Sequence, residues 1–184
     1  FDEDLDINDF GFLRRNDVIS ARYKLEITES DLEKYKTREF SLFLNQEYNT
    51  DGRLVRSGIF TNRKYKFHNN HFLFTELNYF PSRWDDTNSG GNGDFKIDPR
   101  WQLGGFYSTD SAKKISHGFA AFFNQEEIGG QEHVWKYEIS WRPSDRFSAQ
   151  LELRYINRTD WLLHQSGRDF TTYKAEFWQP ELEL

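Results

Sequence analysis

The chain has 184 residues, 18% of them aromatic and 29% charged, with no cysteine and no methionine. This excludes low-complexity disorder, which is poor in aromatics, along with disulfide scaffolds, thiolate metal sites and cysteine nucleophiles. No run approaches the roughly 20 consecutive apolar residues of a spanning helix. The net charge of −6 is spread as interspersed signs, unlike the basic footprint of a nucleic-acid binder.

The length suits one domain over 1–184, or a piece of a larger one. The chain opens on Phe1 with no initiator methionine and no signal peptide, as expected of a mature chain or an excerpt.

Taken from the N-terminus, the dominant signal has period two. Ile19, Ala21, Tyr23, Leu25 and Ile27 alternate with Ser20, Arg22, Lys24, Glu26 and Thr28. Side chains on a strand point alternately to opposite faces, so 18–28 is predicted as a strand with one apolar and one charged face. A polar connection follows over 29–37. Ser30 and Glu33 have capping-box spacing there, but a loop is expected over so short a stretch. Strands are next predicted over 38–49 and 53–67, joined at Asp51-Gly52, a strong two-residue turn signal.

His68-Asn69-Asn70 turns the chain into a strand over 71–80, in which both faces carry aromatics. A long loop, 81–99, contains Ser89-Gly90-Gly91-Asn92-Gly93. Further strands are predicted over 100–109, 114–126, 131–142, 146–157 and 171–182. In 131–142, Trp135, Tyr137, Ile139 and Trp141 alternate with Lys136, Glu138, Ser140 and Arg142. Pro180 has no N–H to donate, so it is expected to mark a bulge or the end of ladder pairing.

Nine strands joined as hairpins form an antiparallel meander, an all-β fold. The connections sort onto two ends, with both long loops (81–99 and 158–170) at the same end. The apolar face needs a cover. It can pack as a sandwich, close inward as a lipocalin-like barrel, or face lipid as a transmembrane β-barrel. Strands of about 9–11 residues, short turns at one end and long loops at the other fit the last. So do Tyr79, Trp84, Trp101, Tyr107, Trp141 and Trp178 near predicted strand ends, as interfacial girdles. Bacterial single-chain barrels have an even strand number. Nine strands therefore imply a missed strand near Phe10–Arg15 or a segment of a larger barrel, and we favour the segment.

Two stretches carry a resemblance: Asn8-Asp9-Phe10-Gly11-Phe12-Leu13-Arg14-Arg15-Asn16-Asp17 and Phe170-Thr171-Thr172-Tyr173-Lys174-Ala175-Glu176-Phe177-Trp178-Gln179-Pro180-Glu181-Leu182. They resemble the C-terminal region of an uncharacterised bacterial family, domain of unknown function 5916. The resemblance implies a Gram-negative outer-membrane barrel, with a carbohydrate-binding, DOMON-like module lying upstream of this chain. It supplies no catalytic motif that maps onto any residue here.

The functional candidates follow from this placement. Arg22, Lys24, Glu26, Lys64, Lys66, Lys136, Glu138, Glu152, Arg154, Lys174 and Glu176 are expected to face the lumen. They would either tune passage or pair across strands and fill it, and the second ranks first for a narrow barrel. Asp85, Asp86 and Asp94, with Asn88 and Asn92, make an oxygen-rich loop open to calcium. No glutamate closes it at EF-hand spacing, so a solvated loop ranks ahead and no other cofactor is expected. Trp84 and Trp161 are candidates for stacking on sugar rings, with interfacial anchoring ranked above it. Glu126, Glu127 and Glu132 flank Gly129-Gly130 as candidate glycoside-cleaving carboxylates. No GxSxG elbow, HExxH helix or phosphate loop accompanies them.

The expectation is a porin-like bacterial outer-membrane barrel whose partners are the lipid bilayer and small polar molecules such as oligosaccharides. A soluble all-β ligand-binding domain and a surface glycan hydrolase are the competing functions.

Overall fold

The computed structural model describes residues 18–85, 94–126, 129–163 and 171–183, with the side chains of 161–163, 171–180 and 182–183 outside that description. Eleven strands follow one another: β1 Val18–Ser30, β2 Tyr35–Asn49, β3 Leu54–Phe67, β4 Phe72–Phe80, β5 Arg83–Asp85, β6 Phe95–Ile97, β7 Arg100–Ser108, β8 Ile115–Gln125, β9 Gln131–Ser144, β10 Phe147–Leu163 and β11 Thr171–Glu183. Nine form one antiparallel sheet in the order β1-β2-β3-β4-β7-β8-β9-β10-β11, and β5 and β6 form a separate hairpin. The predicted all-β meander is therefore the fold. Within the described residues, β1 and β11 each have one neighbour in the sheet. The strand considered near Phe10–Arg15 lies outside the described residues.

Several predicted boundaries move. β1 and β2 run further than expected, so the connection between them shrinks to residues 31–34. No helical turn forms at Ser30–Glu33. Asp31 instead takes a left-handed φ of 56°, and its amide donates to the Lys36 carbonyl at 3.0 Å. This connection thus joins the other tight turns at its end: His68–Asn70, the stretch after Ser108 and the β9–β10 turn.

β10 extends to Leu163, past the predicted end at 157. A register shift between Thr159 and Trp161, with Asp160 at φ 49°, carries the strand through its polar stretch. Pro180 neither bulges nor ends β11. It sits opposite Leu153, and pairing continues to Glu183. An edge strand tolerates proline because one side of its ladder has no partner to supply.

The long loop contains the hairpin that alternation missed. Its three-residue strands are too short to display a period. Ile97 and Asp85 are almost fully buried, and Val55 of β3 is buried as well. Ser82 Oγ donates to the Ile97 carbonyl at 2.8 Å, and the Arg83 guanidinium donates to the Val55 carbonyl at 3.1 Å. The hairpin is thereby fastened to β3.

The register assigns every strand residue to one of two faces. One row runs Leu25, Leu42, Thr61, Leu77, Leu103, Phe123 across six strands. The neighbouring row on the opposite face runs Glu26, Ser41, Asn62, Glu76, Gly104, Phe122. Apart from the β5–β6 hairpin, which packs on β3, no described element covers either face, yet their exposure differs. On the first face Ile19 is 68% exposed, Tyr23 54%, and Trp135 and Trp141 48% each. On the second, Asn45, Glu47, Asn78, Ala120, Ser140 and Ile156 are buried. The polar face is the more enclosed of the two and the apolar face the more exposed, and they are called the inner and the outer face below. Leu25, Tyr137 and Leu151, whose direction separates the competing architectures, all lie on the outer face. The described residues contain no layer that would turn that face into a sandwich core.

Gly104 makes room for a neighbouring ring on the inner face. A Cβ there would collide with the Phe122 ring, which lies across it from the neighbouring strand. Glycine inside a strand often marks such a bend or close approach.

Candidate functional site: the inner face

Charged residues on adjacent strands of the inner face meet as pairs. Arg22 of β1 and Arg56 of β3 approach the Glu47 carboxylate of β2 at 3.1 and 4.0 Å. Lys24 meets Glu26, two residues along the same strand, at 2.9 Å, and Lys64 meets Glu39 across β2–β3 at 3.2 Å. Lys136 bridges Glu152 at 2.7 Å and Glu138 at 3.6 Å. Exposed pairs of this kind contribute about 0–1 kcal/mol each. Glu47 is different: its side chain is 10% exposed, so removing its arginine partners would leave an enclosed group without its pair. Lys66 and Arg154 have no ion pair among the described residues. The register sets Glu176 opposite Asn157 and Lys174 opposite Thr159. The side chains of Lys174 and Glu176 lie outside the described residues.

Phenylalanines interrupt this ionic lining, and the alternation did not predict them as site residues. Phe43 and Phe60 lie 5.7 Å apart by ring centroid, and Phe60 meets Phe80 edge-on at 5.3 Å. Phe106 contacts Phe72 at 5.2 Å and Phe74 at 5.8 Å. The sequence signal was the aromatic content of both faces in 71–80. Phe72, Phe106 and Phe122 floor a cavity of about 600 Å³, whose walls include Lys136, Glu138 and Gln150. An apolar floor with a polar rim suits a small molecule with one greasy face and several hydrogen-bonding groups.

The loop candidates are only partly brought together. Asp85 is buried and meets Arg83 at 3.6 Å. Asp94 pairs with Arg53, whose guanidinium stacks over the Trp84 ring at 5.3 Å. Two of the oxygen ligands considered for calcium are thus engaged by arginines, and Asp86 lies outside the described residues. Trp84 remains 37% exposed at the hairpin. The side chain of Trp161 lies outside the described residues.

The carboxylates beside Gly129-Gly130 are held as well. Glu126 receives two hydrogen bonds from the Arg158 guanidinium, at 2.6 and 3.1 Å. Glu132 accepts from Asn124 Nδ2 at 2.6 Å, and Glu127 lies outside the described residues. Both Glu126 oxygens are thus occupied by one guanidinium partner.

The outer face carries rings at two levels. Toward the tight-turn end, His71 meets the Tyr107 hydroxyl at 2.5 Å and His117 meets that of Tyr137 at 2.8 Å. Trp141 packs against Phe147 at the same end, with centroids 5.6 Å apart. Toward the other end, Tyr79 and Trp101 lie 4.4 Å apart, and Phe123 and His133 lie 5.0 Å apart. Aliphatic residues such as Leu77, Leu103, Ile139 and Leu151 share this face.

No curated protein and no solved structure matches the sequence. Residues 1–174 match the family described as Domain of unknown function (DUF5916). With nearly the whole sequence inside that match, the chain belongs to the DUF5916 family.

Proposed function

We propose that this chain is part of a bacterial outer-membrane β-barrel whose inner face handles small polar molecules, oligosaccharides among them, in passage or at the cell surface. The observation that carries the proposal is the exposed outer face. Each large apolar side chain left in water forgoes roughly 1.5–3 kcal/mol of burial, and this face presents many of them contiguously. Hydrocarbon is a cover that matches its shape and extent. Aromatic rows at both levels fit the girdles of a membrane barrel. Arg63 interrupts the face, with its guanidinium 6.0 Å from the Phe40 ring. It lies four residues from the end of β3, within reach of an interface by snorkelling.

The inner face supports the choice of cargo. Its charges are of both signs and mostly paired, so no single-sign field selects an ion. Phenylalanine rings between polar groups offer sugars an apolar surface and hydrogen-bonding partners together.

The test is the behaviour of the full-length protein in extraction. The proposal expects detergent dependence and heat-modifiable gel migration. A protein that stays monodisperse in buffer without detergent, with unchanged migration on heating, contradicts it.

A further inference from the structure

The tight-turn end of the sheet carries an unbalanced cluster of charge. Lys113 and Lys114 precede β8, while Arg142 and Arg146 flank the β9–β10 turn. The two turns are tied together where the Arg142 amide donates to the Lys114 carbonyl at 2.7 Å. All four cations are exposed, and none has an ion pair among the described residues. They line a hollow of about 670 Å³ in which Asp145 is the one acidic residue. Nearby Asp110 accepts from the Ala112 amide at 2.9 Å and from Asn70 at 3.2 Å, and its charge also acts on Lys113, so two acidic residues stand against four cations. In a chain with net charge −6, four cations around one hollow form a local positive field.

Phe147 also lines this hollow, and it packs against Trp141. Both rings are nearly half exposed, at 45% and 48%. Cations therefore lie directly beyond an apolar ring pair, as a lipid's charged headgroup lies directly beyond its acyl chains. We infer that these two turns bind the headgroup of an anionic phospholipid, whose acyl chains lie against Trp141 and Phe147. This rests on the membrane placement proposed above. The position is consistent with it, because short turns of such barrels face the periplasm, on the phospholipid side of the outer membrane. Basic clusters beside interfacial segments attract anionic lipid in this manner. The ring pair distinguishes this ligand from free phosphate, which has no use for an apolar neighbour.

The test uses full-length protein in lipid nanodiscs, with phosphatidylglycerol titrated into phosphatidylcholine and lipid enrichment around the protein measured. Phosphatidylglycerol should be enriched around the native protein. The double variants Lys113→Gln/Lys114→Gln and Arg142→Gln/Arg146→Gln should each lower its apparent affinity about tenfold, while Lys34→Gln, on another turn of the same end, should leave it unchanged. Inorganic phosphate at millimolar concentration should compete weakly. Equal affinity for the two lipids, or full displacement by phosphate, overturns the inference while leaving membrane insertion standing. Failure to enter phosphatidylcholine discs at all overturns the inference together with the proposed function.

Discussion

The two faces of this sheet share one backbone and differ in what their side chains do for one another. On the inner face, residues from neighbouring strands satisfy each other: Glu47 gathers Arg22 and Arg56, Lys136 gathers Glu138 and Glu152, and the phenylalanines cluster. On the outer face, Ile19, Leu77, Leu103 and Trp135 stand exposed beside one another. Cross-strand contact is the unit of stabilisation in a sheet. The inner face thus meets most of its own needs, the buried Asn45 and Asn124 amide oxygens excepted, whereas large apolar side chains of the outer face stand exposed.

The largest effect should come from placing a charge on the face that meets hydrocarbon in the proposed placement. Leu103→Arg, near the middle of the outer face, should destabilise the protein in a bilayer by about 2–4 kcal/mol. Asn62→Arg on the inner face, beside Glu76 across the β3–β4 pair, should change stability far less. Urea unfolding in vesicles, with both variants measured side by side, reads the contrast. Equal costs would erase the distinction between the faces.

A smaller loss, about 1.5–3 kcal/mol, is expected when Glu126→Gln removes the carboxylate that Arg158 binds through two hydrogen bonds. The same variant should leave any glycan turnover by the full-length protein unchanged, because the group serves the arginine. Gly104→Ala should cost about 1–3 kcal/mol by forcing the Phe122 ring aside. Restored stability in Gly104→Ala/Phe122→Leu would identify the ring as the cause.

The smallest effect is confined to the turn that orients the cation cluster. The backbone amide of Ala112 and, secondarily, the Asn70 side chain hold the Asp110 carboxyl below its ordinary range. A carboxyl lowered on folding stabilises the folded turn above its unfolded pKa, and that contribution disappears as pH falls through the lowered folded value. The protection factor of the Ala112 amide, taken relative to intrinsic exchange at each pH, should therefore fall under acid conditions in the native protein and change little in Asp110→Asn.

Much of the fold was legible because alternation is strict where one face is uniformly apolar. Residues 18–28 and 131–142 read as strands directly, and the chemistry of Asp51-Gly52 and His68-Asn69-Asn70 located turns. The β5–β6 hairpin was not legible, since three-residue strands have no period and their burial depends on distant Val55. The inner-face charges could be nominated from parity alone, but their partners required register: nothing in the spacing of Arg22, Glu47 and Arg56 announces that they meet. The inner phenylalanines were obscured for the opposite reason. In 71–80 they occupy the face that alternation elsewhere assigns to polar residues, so pattern alone gave no side.

The most direct test asks whether outer-face side chains touch acyl chains. Full-length protein should be reconstituted in vesicles of phosphatidylcholine brominated on its acyl chains. Two single-tryptophan forms are needed, one retaining Trp135 and one carrying Phe122→Trp, with every other tryptophan replaced by phenylalanine. The account predicts strong quenching of Trp135 and little quenching of the tryptophan at position 122. Equal quenching at both positions, or none at Trp135, would contradict it.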